Sequence, residues 1–261
     1  MQLGFGLMLR EPVLGLKRVI LPIDYWRGRE FAYACTKLGV PDGAKVLDLG
    51  SPKDLAVYLA KYRGYAVTAV DILPEAIDLS QRTARANGLD GAGPGRVLSE
   101  VQDGRALPYS ADSFDAAYTV SVLEHIPGDG DTAALTELIR VVRPGGRVVV
   151  TTPFSPEYEE IFLNEQVYDR EYLPGGEPVF FERHYDRPTL ERKLLGIAGA
   201  RLIDLEYWGE EKVRAFHLLG RLGRGRDIIS PLEGLLSTIF LRRLAEGQGH
   251  PMAVFLTLEV N

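Results

Sequence analysis

A single cysteine, Cys35, occurs in 261 residues. No intrachain disulfide can form and no cluster of thiolates can hold a metal, which fits a reducing cytosol. Positive charge is not in excess either: 30 Lys and Arg face 36 Asp and Glu, for a net charge of −6. Broad nucleic-acid binding through phosphates needs a basic surface and is not expected here. No run approaches the roughly 18 uninterrupted apolar residues of a membrane-spanning helix. The opening stretch MQLGFGLMLREPVLGLKRVILP is apolar in patches, but Arg10, Glu11, Lys17 and Arg18 break it. It has neither a basic leader nor a clear small-residue cleavage site, so a cytoplasmic protein is expected. Repeats and low-complexity tracts are absent as well. The remaining composition, 46% hydrophobic and 25% charged, is that of one large globular domain with room for insertions.

What is present is an alternation of strand and helix signals. Residues 24–39 read as a helix, N-capped by Asp24 and closed by Gly39 and Pro41. KVLDLG is a first strand, and Pro52 to Arg63 a helix closed by Gly64. YAVTAVD is a second strand, and Pro74 to Asn87 a helix with proline in its first turn. RVLSEVQD, ending at Asp103, is a third strand, and Phe114 to Ser121 a fourth. Asp131 to Val142 is a helix stopped by RPGG, and RVVVTTP is a fifth strand. Apolar strands alternating with helices mean crossover units and a parallel sheet covered on both faces. After Pro153 the pattern breaks. Residues 154–187, with a PGG turn at Pro174–Gly176, read as an inserted loop or lid. Thr189 to Gly196 is helical, ARLIDLEYW a sixth strand, 209–250 an irregular insertion with some helix, and MAVFLTLEV a last strand.

The stretch VLDLGSPKDLAVYLA at residues 46–60 carries the most chemistry. An apolar strand ends in Asp48, turns at Gly50 and Ser51, and opens into a helix. Such a turn presents backbone N–H groups and the positive end of a helix dipole to an anionic or nucleotide-like ligand. A second strand ends in Asp71, where a carboxylate can accept from both hydroxyls of a ribose.

The ordered set VLDLG, VD, QDGRALPYSADSFDAAYTVSVLEHI and LIRVVRPGGRVVV resembles the class I S-adenosylmethionine-dependent methyltransferases over residues 44–152. The resemblance implies an α/β fold: a Rossmann-like, seven-stranded, mostly parallel sheet with helices on both faces and an antiparallel last strand. It implies a methyltransferase domain over 44–261, with insertions near 154–187 and 209–250, behind an N-terminal helical cap at 1–43. It also implies S-adenosylmethionine as cofactor. Asp48 would lie near the ligand's ammonium, and Gly50 and Ser51 would form the turn against it. Asp71 would grip the ribose and Ile72 would pack on the adenine. Asp103 and the N–H of Gly104 would read the adenine edge, and Ser121 and Val122 would offer carbonyls near the tail. The sequence departs from the family's glycine-rich run, having Pro52 and Asp54 where further glycines are usual. Pro52 has no N–H to donate, and Lys53 is placed to supply charge to the ligand's carboxylate instead.

For the acceptor, expected to be a small molecule, the candidates are Tyr25, Arg29, His125, His184 and Tyr185. Tyr25, Trp26 and Arg29 lie on the N-terminal helix, Tyr25 and Arg29 one turn apart on one face. His125 suits a general base by its ordinary pKa, but it equally suits packing, since methyl transfer can rest on positioning alone. Glu124 and His125 are neighbours without a third ligand, so no metal is expected. Lys212, Arg214, Arg221, Arg224 and Arg226 read as a solvated basic face. Two other functions share parts of this pattern: a non-catalytic binding or regulatory protein on a methyltransferase scaffold, and a nicotinamide-dependent oxidoreductase. No catalytic residue, acceptor atom or oligomeric state is assigned by the sequence.

Overall fold

The computed structural model describes residues 25–164, 178–212, 214–220, 232–245 and 247–261. The predicted cap residue Asp24, the Pro174–Gly176 turn, and Arg221, Arg224 and Arg226 lie outside them. Helix α1 (Arg27–Lys37) leads into β1 (Lys45–Leu49), α2 (Lys53–Arg63), β2 (Ala66–Asp71), α3 (Pro74–Ala86), β3 (Arg96–Val101) and β4 (Phe114–Val120). A short 3₁₀ turn (Leu123–His125) precedes α4 (Gly130–Val141), β5 (Val142–Pro153), β6 (Glu159–Leu163) and β7 (Val179–His184). Then come α5 (Arg187–Leu190), β8 (Ala200–Glu210), α6 (Ala215–Gly220), α7 (Glu233–Phe240), β9 (Leu241–Leu244) and β10 (His250–Val260).

Local chemistry sets these boundaries. Helix α2 ends where Gly64 adopts a left-handed φ of 62° and returns its N–H to Leu59. Pro74 occupies the first turn of α3. Asp186 caps α5 by accepting from the Thr189 N–H at 2.9 Å. The chain then continues helically to Leu195 through a widened turn closed by Gly196 N–H to Glu191 O.

The main sheet has the order β3-β2-β1-β4-β5-β10-β8-β9. The first five strands are parallel, and β10 runs antiparallel between β5 and β8. Successive side chains of each strand enter opposite layers. Leu47, Leu49, Val148, Val150 and Leu256 pack with α4 on one face. Val46, Val149 and Phe255 pack with α1 and α2 on the other.

The sheet has eight strands where the sequence indicates seven. The extra one, β9, pairs with β8 and comes from the segment read as an irregular insertion. Its LRRL sequence buries both leucines and exposes both arginines, a four-residue pattern too short and unalternating to announce a strand. The segment after Pro153 is likewise more regular than a loop, because β6 and β7 form a separate antiparallel ribbon. RPGG lies inside β5, with Gly145 at φ 75° and a register shift against β4 absorbing the turn.

Candidate functional site

The carboxyl ends of β1, β2, β3 and β4 bring the three acids together with the turn of residue 50. Gly50 has φ 66°, and its N–H donates to Val70 O. A Cβ there would lie 2.7 Å from Val122 Cγ1, so both the backbone conformation and the close approach require glycine. Asp48 is fully buried. Its Oδ1 accepts from the Ser51 N–H at 3.1 Å, while Oδ2 has no hydrogen-bond partner among the described residues. Burial raises its pKa, against the pull of Lys53. Tyr118, its partner in strand register, has a hydroxyl that is equally orphaned. Each group shifts the other's pKa, Tyr118 lowering that of Asp48 and Asp48 raising that of Tyr118.

Ser51 is fully buried. Its N–H goes to Asp48 and its Oγ accepts from the Val120 N–H at 2.9 Å. It stitches the turn to β4 and presents no surface to a ligand. Lys53 corrects an expectation: its Nζ lies 2.7 Å from Asp71 Oδ2. The other Asp71 oxygen accepts from the Leu73 N–H at 3.0 Å. Lys53 therefore serves the acid of β2 and is not held out towards a ligand carboxylate. Ile72, beside it, is 58% exposed. Asp103 is gripped by its neighbour Arg105, whose Nε and Nη2 donate to both carboxylate oxygens at 2.7–3.1 Å. These bonds lower its pKa. Gly104 packs under Leu49, whose Cδ1 would sit 2.6 Å from a Cβ.

Ser121 joins this cradle to a cavity of about 460 Å³. It adopts φ 52°, a conformation rarely taken by residues other than glycine. Its Oγ donates to Glu30 Oε1 at 2.6 Å. The buried Glu30 carboxylate also accepts from Thr151 Oγ1 and Arg27 Nη1, which pins α1 across the ends of β4 and β5. Glu124, His125, Glu182 and His184 line the same cavity. Glu124 is 1% exposed and accepts from Thr152 Oγ1 at 3.2 Å. Burial, with Glu30 and Glu182 nearby, pushes its pKa up to about 8. His125 bonds the Phe181 carbonyl through Nδ1 at 2.8 Å, and burial lowers its pKa.

Of the five acceptor candidates, His125 and His184 line the cavity and three do not. Tyr25 precedes the helix, is fully buried, and donates to Glu210 Oε1, anchoring α1 to the end of β8. Arg29 stacks on Trp208. Tyr185 donates to Asp131 Oδ2, in a buried cluster where Arg183 Nη1 lies 2.7 Å from the same oxygen. Through Asp131 this cluster fastens β7 to α4, and Arg183 also donates to the carbonyls of Ile126 and Gly128 in the loop before α4. Glu30 and Glu182 were not legible as site residues. The one sequence signal was an acid beside aromatic residues, Glu30 before Phe31 in one case and Glu182 after Phe180 and Phe181 in the other.

Comparison with known proteins gives a family model described as "Methyltransferase domain" that matches residues 47–150. Methyltransferase GfsG of Streptomyces halstedii is 33% identical over 115 residues, 44% of this chain and 39% of that protein. Norajmaline N-methyltransferase of Rauvolfia serpentina is 30% identical over 126 residues, 46% of this chain and 41% of that protein. The chain thus spans about two-fifths of the length of these curated relatives. Among solved structures, the [4+2]-cyclase SpnF has the same fold, with TM-score 0.58 at 19% identity over 90% of this chain and 83% of that one. The strand order, the acids at the ends of β1, β2 and β3, and the family match agree: residues 47–150 of this chain form a methyltransferase domain of the class I S-adenosylmethionine-dependent family.

Proposed function

We propose that the protein transfers a methyl group from S-adenosylmethionine to a small-molecule acceptor held in the cavity beyond Ser121. The observation that carries this reading is the shared wall. The cradle with the orphaned Asp48 Oδ2 and the 460 Å³ cavity meet at one residue. A buried carboxylate oxygen without a donor is costly, and an ammonium-bearing ligand would satisfy it. Exposed Ile72 offers an apolar face for a base, and Gly50 allows close backbone approach.

Asp48, Gly50, Asp71, Ile72, Asp103, Gly104, Ser121 and Val122 would hold the cofactor, with Ser51 acting from behind the turn. The bound cofactor supplies an electrophilic methyl carbon on a sulfonium. The chain's own work is to align the acceptor and keep water out. Asp71 accepts ribose hydroxyls by sharing the oxygen now taken by Lys53. Arg105 holds the Asp103 carboxylate in place. Residues 44–261 act as one domain, with the segment up to residue 43 as a cap. The reaction is assigned to the cytoplasm: one cysteine and no described helix long and apolar enough to cross a membrane support this.

Calorimetric titration with S-adenosylmethionine tests the reading. Saturable heat is expected, and Asp71→Ala weakens the affinity by roughly 1–3 kcal/mol through loss of charge-assisted hydrogen bonds. No heat at about millimolar ligand overturns it in favour of a binding or regulatory protein on this scaffold. A thermal shift with NAD and none with S-adenosylmethionine overturns it in favour of an oxidoreductase.

A further inference from the structure

The cavity is acidic, and its acids are not arranged to satisfy each other. Three carboxylates line it: Glu30 from α1, Glu124 from the turn after β4, and Glu182 from β7. Arg27 is the one Arg or Lys among the described lining residues, and its Nη1 lies 2.8 Å from Glu30. The two histidines complete the titratable set; β5, α6 and β10 contribute none to the lining. His184 Nε2 lies 3.2 Å from Glu182 Oε1.

His125 fixes the character of the centre. A carbonyl can only accept, so Nδ1 donates to Phe181 O and the neutral ring carries its lone pair on Nε2. That atom lies 4.0 Å from Glu124 Oε1 and 3.8 Å from Glu182 Oε2. Both separations exceed a hydrogen bond. They approach the spacing of acceptors around one shared donor, since two acceptors each about 2.8 Å from a tetrahedral nitrogen are about 4.6 Å apart and draw closer when the hydrogen bonds bend. Carboxylate oxygens from two chain segments, the turn after β4 and strand β7, thus lie within 4.0 Å of this imidazole nitrogen. Trp26, Phe154 and Phe216 form apolar aromatic walls of the cavity, surfaces that favour a cation. No group of three or more His, Cys, Asp or Glu among the described residues is placed to hold a metal ion. The complementary occupant is an organic cation with N–H donors.

We propose that the cavity is an amine site: an aryl- or alkylamine enters protonated, seats its nitrogen between Glu124 and Glu182, and drives the Glu124 proton out to solvent. In that step the carboxyl O–H bond breaks, its proton passes to water, and the resulting anion pairs with the ammonium. Return of one ammonium proton to Glu124 then breaks an N–H bond, re-forms the O–H bond and uncovers the nitrogen lone pair. That this nitrogen is then methylated rests on the function proposed above; amine binding does not. A carboxyl group poised near pH 8 by burial suits the task.

The test uses the full chain without cofactor and three probes of similar shape: 2-phenylethylamine, 2-phenylethanol and 3-phenylpropionate. In calorimetry near pH 7 the amine is expected to bind at least ten-fold more tightly than the other two. Its observed heat should vary with the ionisation enthalpy of the buffer, reporting release of up to one proton as the cation ionises Glu124. Glu124→Gln and Glu182→Gln should each weaken the amine at least ten-fold and leave the alcohol unchanged, and only Glu124→Gln should abolish proton release. Circular dichroism melts confirm that both variants are folded. Equal or tighter binding of the alcohol or the carboxylate overturns the proposal. So does unchanged amine affinity in both variants, or no heat from the amine at about 10 mM. Titration with S-adenosylmethionine alone is scored separately, so a failure of the cofactor reading is distinguishable from a failure of the amine site.

Discussion

The acids on the two sides of Ser121 are handled in opposite ways. On the cradle side, Asp71 and Asp103 lie at strand ends, partly open to solvent, each held by a cation 18 or 2 residues away in sequence. On the cavity side, Glu30 and Glu124 are buried, and Glu182 reaches in from β7. Glu30 answers to two hydroxyls and Arg27, whereas Glu124 answers to a hydroxyl and a histidine and has no Lys or Arg partner of its own among the described residues. The first arrangement holds each carboxylate beside a cation, with its position fixed for accepting further hydrogen bonds. The second makes ionisation of Glu124 costly until a cation arrives. Under the proposed function, one rim reads a fixed set of polar groups and the other responds to the charge of its occupant.

The widest test of this contrast removes the support of the cavity wall. Asp131→Ala leaves the fully buried Arg183 without its counter-ion and should cost about 3–5 kcal/mol of stability in chemical denaturation. In the fraction that folds, S-adenosylmethionine affinity should hold while amine-probe binding falls, because the lost anchor ties down β7, Tyr185 and Lys193 rather than the turn at Gly50. Gly50→Ala attacks the cradle instead. The left-handed φ and the Val122 contact together cost roughly 2–4 kcal/mol, and cofactor titration should show no binding.

A pH series sharpens the comparison further. Between pH 4.5 and about 8 the folded protein keeps a proton on Glu124 that the unfolded chain has lost. Stability therefore declines as pH rises through that window. Thermal melts should show the decline in the wild type and a shallower one in Glu124→Gln; identical slopes would remove Glu124 as the cause. The smallest effect is expected from Lys53→Met. Freeing Asp71 from its internal partner should tighten S-adenosylmethionine roughly three-fold, or about 0.6 kcal/mol. A weakened affinity would instead assign Lys53 to the bound ligand.

The cradle was legible in the sequence because each part is local. A strand end, a turn residue and an acid fall within a few positions of one another, and hydrophobic runs mark where strands stop. Asp48, Asp71 and Asp103 could thus be placed at or near strand ends from the apolar pattern, while their shared role was an implication of the family resemblance. What Lys53 does was not legible, since its partner lies 18 residues away across a strand. The cavity was less visible still. Its wall is assembled from α1, the turn after β4, β7 and the start of β10, which meet only in three dimensions. Tyr25 and Tyr185 misled for the same reason: their hydroxyls are consumed by Glu210 and Asp131, distant residues that no pattern in the chain connects to them. Strand β9 escaped because four residues flanked by helix carry no periodicity.

The β6–β7 ribbon stands apart from the main sheet yet supplies Glu182, His184 and the Phe181 carbonyl. It is an exchangeable panel. A lineage could reshape the cavity by altering this appendage, while the parallel strands that carry Asp48 and Asp71 stay untouched.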